Sequence, residues 1–495
     1  MIQRVNISVL LLTMAAMVFA QTTENGGFTV KGDITALYTL GNAESSQALG
    51  SGRGDGAYET EKNGYYTSAN AYLEYKPKPD AGDPDGFKSD DFLEAYLKVA
   101  ATHRNGSFYE PLSLEYYGKG DFSVSFDTYY GKVSIFDAIA LDLPVTLFLK
   151  AGKYKTETAY FGKISKYETE SVLYMLKTAN TYNYQIEALY SGQEGNPFKL
   201  SGLFTSNYKF DEATPRLYDK DGSVSPHGSV VVGEYAPQLF ASVRLEDFNL
   251  AGNMLSAEFD YALNGADIYS GNSIGGAFRF VLNPNAQIKI PLGLSIGWFE
   301  KNIDVLSGTV GAITGVRDTT SMRDTIAAGI ASGLQWTVND AIRVDANLAG
   351  AFYNINHIYR DPLSIISLSL DAQFAYKQFI FGAGFIAGSL TTDAVWQTKT
   401  DVNPADDANG FKKTFSFAEN MGYEIYTGLK FIPFERAGKK MDGKFIIGFN
   451  QNKGISMNNT LESRADGQIK YRQVDSESGD MLETGGLFVK MELKF

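Results

Sequence analysis

Gly485-Gly486-Leu487-Phe488-Val489-Lys490-Met491-Glu492-Leu493-Lys494-Phe495 ends the chain, and its period decides how the rest is read. Leu487, Val489, Met491, Leu493 and Phe495 fall on one side of a two-residue repeat. Phe488, Lys490, Glu492 and Lys494 fall on the other. Successive side chains of a strand point to opposite faces, so the stretch predicts one apolar face and one mostly charged face. Phe28 to Leu40 repeats the pattern near the other end. There Phe28, Val30, Gly32, Ile34, Ala36, Tyr38 and Leu40 stand against Thr29, Lys31, Asp33, Thr35 and Thr39. Strands with one face for hydrocarbon and one for water suit a closed transmembrane barrel. Lipid satisfies no backbone group, and closure pairs them all.

The sequence between these two ends continues the rhythm. Alternating stretches fall at 65–76, 91–102, 112–130, 143–155, 182–190, 198–210, 236–248, 252–263, 275–283, 286–300, 322–338, 341–353, 363–376, 378–390, 413–432 and 443–451. With the two terminal strands this makes eighteen, and the expected fold is an all-β antiparallel barrel of 16–18 strands. Asn283-Pro284-Asn285, Asn339-Asp340 and Lys377-Gln378 read as tight turns. The intervening connections, such as 211–235, 302–321, 391–412 and 451–484, are long and polar. Short links alternating with long ones are the asymmetry of periplasmic turns and outer loops. An even strand number returns both termini to the periplasmic side.

Residues 1–20 read as a secretory signal: Arg4 is the basic start, Val9 to Phe19 are mostly apolar, and Val18-Phe19-Ala20 offers a small-residue cleavage site. That apolar run is short for a membrane helix, and no later segment supplies one. Residues 21–495 are then expected to form a single barrel domain, with no room for a plug before the first strand. The chain has no cysteine, which excludes a disulfide scaffold and a lipoprotein anchor. A formal charge of −13 argues against a nucleic-acid partner, because phosphate binding needs a basic face. No cofactor is called for.

Together, the signal, the alternating strands, the unequal links and the terminal Phe495 resemble a bacterial outer-membrane porin. In that group the C-terminal strand is read by the barrel-assembly machinery. The resemblance therefore implies Phe495, Leu493 and Met491 as an assembly signal, with that machinery and outer-membrane lipid as partners. It implies a location in the bacterial outer membrane after export. It also implies passive diffusion of small hydrophilic solutes or ions, without enzymatic activity. Leu149-Lys150-Ala151-Gly152-Lys153-Tyr154 is similar to the basic fifth strand of general porins, which leads into a loop that folds inward. A homo-oligomer is compatible with the resemblance, although eighteen strands are about two more than a general porin has. Two other readings stay open. One is a surface-exposed adhesin or structural barrel without an open pore. The other is a substrate-selective channel with an aromatic track, for which Tyr66, Tyr72, Phe148 and Tyr154 are elements.

If the apolar face meets lipid, the charged residues face inward, since a midplane Arg or Lys on lipid costs about 2–4 kcal/mol. The expected pore-lining set is Lys31, Asp33, Glu74, Glu94, Lys98, Lys150, Arg244, Glu258, Asp260, Arg343, Asp345 and Asp371. It extends to Glu246, Glu424 and Glu492, and to Arg279, Lys289, Lys430, Lys490 and Lys494. The plainer alternative is that these residues pair across strands and only keep the lumen wet. Residues 156–181 form the constriction-loop candidate, through Glu157, Lys163, Lys166, Glu168, Glu170 and Lys177. The alternative there is an outward surface loop.

Arg53-Gly54-Asp55 in the first outer loop is a possible adhesion tripeptide. His103, His227 and His357 are expected in outer loops, with no Gly-x-Ser-x-Gly nucleophile elbow nearby. Neither paired histidines nor cysteines are spaced for a metal, and Asp83-Pro84-Asp85-Gly86 reads as a polar turn and not a calcium loop.

Overall fold

The computed structural model describes residues 28–41, 63–76, 93–105, 108–109, 116–117, 120–139, 141, 143–154, 161–167, 172, 181–192, 198–208, 237–264, 271–301, 322–357, 360–392, 395–397, 410–412, 421–436, 439–454, 461–463, 469–471 and 482–494. In chain order the main strands are β1 (Phe28–Gly41), β2 (Asn63–Tyr75), β3 (Leu93–Asn105), β4 (Gly120–Ser134), β5 (Val145–Tyr154) and β6 (Thr181–Ser191). They continue as β7 (Lys199–Tyr208), β8 (Pro237–Leu250), β9 (Asn253–Asn264), β10 (Gly271–Asn285), β11 (Ile288–Lys301) and β12 (Met322–Asn339). The last six are β13 (Ile342–His357), β14 (Arg360–Tyr376), β15 (Phe379–Thr392), β16 (Met421–Arg436), β17 (Lys439–Gly454) and β18 (Leu482–Lys494).

These strands make one 18-stranded sheet in which each pairs antiparallel with the next. The sheet closes on itself. β18 pairs back with β1, from Asp33↔Lys494 through Ala36↔Met491 to Gly41↔Gly486. Among the described residues each of the eighteen strands pairs with a neighbour on both sides, so the sheet has no edge strand.

Exposure assigns the two faces. Ile330 is 66% exposed, Ile425 61% and Leu348 57%, while their strand neighbours Ala331, Glu424 and Ala349 are buried. Along β9 to β15 the exposed positions of this alternation are large and apolar, among them Phe259, Phe278, Leu294, Ile296, Phe352, Leu368 and Phe385, as a lipid-facing surface requires. The opposite face of β9 to β15 carries small and polar side chains, among them Ser256, Ser273, Ala277, Ser295, Ala327, Ser367 and Ser369. The terminal strand follows the rule, with Leu487 exposed and Phe488 buried.

The turns follow from local chemistry. Asn339 Oδ1 accepts from Ala341 N at 2.9 Å and Ile342 N at 3.0 Å, an Asx turn linking β12 to β13. Asn285 Oδ1 does the same for Gln287 N and Ile288 N, both at 2.9 Å. Its turn therefore lies at Ala286-Gln287, just past the predicted Asn283-Pro284-Asn285. Lys377 turns the chain between β14 and β15 with φ of 51°.

Other boundaries also differ from the sequence expectation. The 112–130 stretch resolves into a two-residue piece, Tyr116–Tyr117, and β4, which runs on to Ser134. β16 is described from Met421, and the expected 413–420 lie outside the described residues. His103 lies in β3 and His357 ends β13, so neither is a loop residue. Both sit near strand ends, where alternation gives no sharp boundary.

Candidate functional site

Register places all twelve pore-lining candidates on the inward face. On β1 to β5 these are Lys31, Asp33, Glu74, Glu94, Lys98 and Lys150. On β8, β9, β13 and β14 they are Arg244, Glu258, Asp260, Arg343, Asp345 and Asp371.

Most of them meet an opposite charge or a hydroxyl. Lys31 lies 3.7 Å from Glu74, and Lys76 bridges Glu74 at 2.9 Å and Glu94 at 3.7 Å. Asn70 and Tyr72 both donate to Asp33, the former at 2.9 Å. Lys98 reaches Asp127 at 2.6 Å. Asp127 comes within reach because a bulge opposite Lys98/Val99 adds a residue to β4 and swings its side chain inward. Arg244 lies 3.5 Å from Glu258, whose side chain is fully buried, and Arg343 pairs with Asp345 at 2.8 Å.

Aromatic rings join these charges into a stack on β2 to β5. Tyr72 and Tyr96 lie 6.4 Å apart, Tyr96 and Tyr130 stack at 5.1 Å, and Tyr130 meets Tyr154 edge-on at 5.8 Å. Lys150 Nζ sits between the last two rings, 3.8 Å from Tyr130 and 4.1 Å from Tyr154. Lys132 Nζ covers Phe148 at 3.8 Å, and Tyr130 donates to Glu94 at 2.6 Å. An ammonium held over a ring face is electrostatically attracted and fixed in place. This wall therefore presents oriented lysines.

The second feature is the segment after β5. Residues 161–167 cross to the inner wall on the far side. β14 stands nine strands from β5, half-way round the eighteen. Lys166 donates its backbone N–H to Asp371 Oδ1 at 2.9 Å, and Asn347 donates to Oδ2 of the same carboxylate at 2.8 Å. Lys166 Nζ bonds Glu424 Oε1, which also accepts from the Tyr167 hydroxyl at 2.8 Å. Burial, with the Glu424 carboxylate beside it, pushes the Tyr167 phenol up from its ordinary value. Further along, Val172 N donates to Ser295 Oγ at 3.3 Å.

Lys163 and Lys166 thus belong to a segment packed inside the wall. Glu157, Glu168, Glu170 and Lys177 lie outside the described residues, as do Phe495, Arg53-Gly54-Asp55, His227 and the 1–20 signal. Leu493 and Met491 sit on the outward face of β18, against Ile34 and Ala36.

Three elements of the site carry no obvious sequence mark. Tyr96, Tyr130 and Lys132 escaped because ring stacking depends on register between strands. Asn347 escaped because it is neither charged nor aromatic. An inward apolar patch of Leu37, Ala375, Ile380, Ile446 and Phe488, flanked by Tyr66 and Tyr426, runs against the wet-lumen expectation. Phe488, alone among charges on its face of the terminal strand, was the available signal.

A closed 18-strand wall, an apolar outside, a polar inside and a segment folded across the interior make a porin-type barrel. No family model and no curated protein matches the sequence. Among solved structures, OccK2 (OpdF) of Pseudomonas aeruginosa is similar at 9% identity and a TM-score of 0.43, over 95% of this chain and 97% of that one. OprD of the same organism gives 11% and 0.40, over 94% and 95%. The in-vitro folded trimer form of Vibrio cholerae OmpT gives 12% and 0.40, over 95% and 99%. Likenesses this distant carry no argument. The barrel rests on its own ladder and faces.

Proposed function

We propose that the protein is a channel of the bacterial outer membrane through which small hydrophilic solutes or ions diffuse, with residues 161–167 as its constriction. The observation that carries this is the bond pair from Lys166 and Tyr167 to Asp371 and Glu424, which puts the segment across the lumen from its own strand. A segment in that place narrows the passage. The lysines on the β3 to β5 side then face the narrowed passage, and their field acts on ions at close quarters. The inward charges line the conducting path. The tyrosine–lysine stack favours a channel that discriminates among solutes over a plain sieve. The outward residues Met491 and Leu493, with Phe495 after them, serve assembly, and lipid covers the apolar face.

The test is planar-bilayer recording of refolded protein together with liposome swelling in neutral sugars. Discrete conductance steps and solute-dependent swelling are expected. A heat-modifiable, folded barrel that gives neither is a structural barrel, and the channel reading fails.

A further inference from the structure

The inward segment does not merely lie against the wall; the wall is shaped to receive it. A Cβ placed at Gly293 would stand 2.7 Å from the carbonyl oxygen of Gly162 and 2.9 Å from Ile164 Cδ1. At Gly333 it would stand 2.6 Å from Asn347 Oδ1 and 3.2 Å from Ile164 Cγ2. At Gly384 it would overlap the Tyr167 hydroxyl. Real Cβ atoms do not approach so closely, so these three positions on β11, β12 and β15 form a slot that no side chain fills. At the end of the slot stand Asp371 and Glu424, only 9% and 5% exposed. The segment covers both. It brings one N–H to Asp371, whose other oxygen accepts from Asn347 of β13, and an ammonium and a phenol to Glu424.

We propose that this slot is a selectivity lock: Gly384 positions the Lys166–Tyr167 tip so that it screens Asp371 and Glu424 from the permeating ions. Seated, the tip neutralises one carboxylate and buries both. Displaced, it leaves two anionic groups facing water, and the passage becomes both wider and more attractive to cations. Gly384 is thus a positioning residue that acts through Tyr167 and carries no charge of its own. The inference rests on the channel reading above.

The test compares Gly384→Val and Gly384→Ala with Lys166→Gln in bilayers under a potassium chloride gradient. Losing a lysine shifts selectivity for a trivial reason, so the glycine variants decide. Both are expected to move the reversal potential toward the potassium equilibrium potential and to raise conductance, with the larger side chain acting more. Lys166→Gln should move the potential the same way with a smaller change in conductance. Gly384→Val could fail to assemble, in which case Gly384→Ala carries the test. A folded glycine variant with the wild-type reversal potential overturns the lock and leaves the channel reading standing.

A second measurement separates the two claims. The chain has no cysteine, so a Gly162→Cys/Ala277→Cys pair is the only thiol pair present. Its Cβ positions lie 3.4 Å apart, close to the disulfide mean of about 3.8 Å. Oxidation should crosslink the pair in the assembled barrel. No crosslink in a folded barrel removes the slot. A crosslink in a barrel that never conducts keeps the slot and ends both the channel reading and the lock.

Discussion

The ring of Phe488 offers the clearest energetic test of how the barrel closes. It belongs to β18, points inward, is 4% exposed, and packs with Leu37 of β1 and Ile446 of β17 across the closing seam. The ring lies over Gly448, where an added Cβ would strike the ring and stand 2.9 Å from the carbonyl oxygen of Ile425. Burying roughly 150 Å² of ring at about 25 cal/mol per Å² stabilises the fold by about 4 kcal/mol. That agrees with the range of about 3–5 kcal/mol for Phe→Ala in a packed site. Phe488→Ala should therefore lower the folded-to-unfolded ratio about a thousandfold, at roughly 1.4 kcal/mol per decade. Gly448→Ala should cost about 1–3 kcal/mol by overpacking. The double variant should cost less than the sum, with a coupling of about 0.5–3 kcal/mol, because the missing ring frees most of the space. Part of the Gly448 cost remains through the Ile425 carbonyl. The assay is equilibrium guanidinium unfolding in detergent micelles, read by heat-modifiable gel mobility. Strict additivity of the two substitutions would refute the ring-over-glycine packing, and a loss below about 1 kcal/mol for Phe488→Ala would refute the seam's role in stability.

Further outcomes follow from single contacts. Ile330→Lys, on the lipid face of β12, should destabilise the barrel by about 2–4 kcal/mol in vesicles, and Ile330→Ala should cost far less; equal costs would contradict the face assignment. Arg244→Ala removes the guanidinium 3.5 Å from buried Glu258 and should destabilise by about 3–5 kcal/mol. Adding Glu258→Gln should recover much of this in the same unfolding assay. Asn339→Ala loses both acceptor bonds of its Asx turn and should cost about 1–2 kcal/mol without changing conductance.

How far the sequence could be read depended on whether a feature was local. Alternation along Phe28 to Leu40 and Leu487 to Phe495 is local, and it gave the faces, the even strand number and the eighteen-strand barrel. The Asn339 and Lys377 turns were equally legible, because their geometry comes from one or two residues. Strand ends were not. β4 passes the expected Tyr130 to reach Ser134, because alternation fades where a strand leaves the membrane. His103 and His357 fell on the wrong side of such ends. The inward charges were found because charge must avoid lipid. Which of them meet was hidden, since Lys166 and Glu424 are 258 residues apart in sequence. The slot was the least legible part. Gly293, Gly333 and Gly384 look like any strand glycines until Ile164 and Tyr167 are seen against them.

On the channel reading, residues 161–167 narrow the lumen and limit flow. The most direct measurement is the single-channel conductance of a variant lacking residues 162–177, set against the wild type in the same bilayer and salt. A larger unitary conductance in the deleted barrel, with unchanged heat-modifiable folding, is the predicted result. Equal conductance in the two would place the segment outside the conducting path.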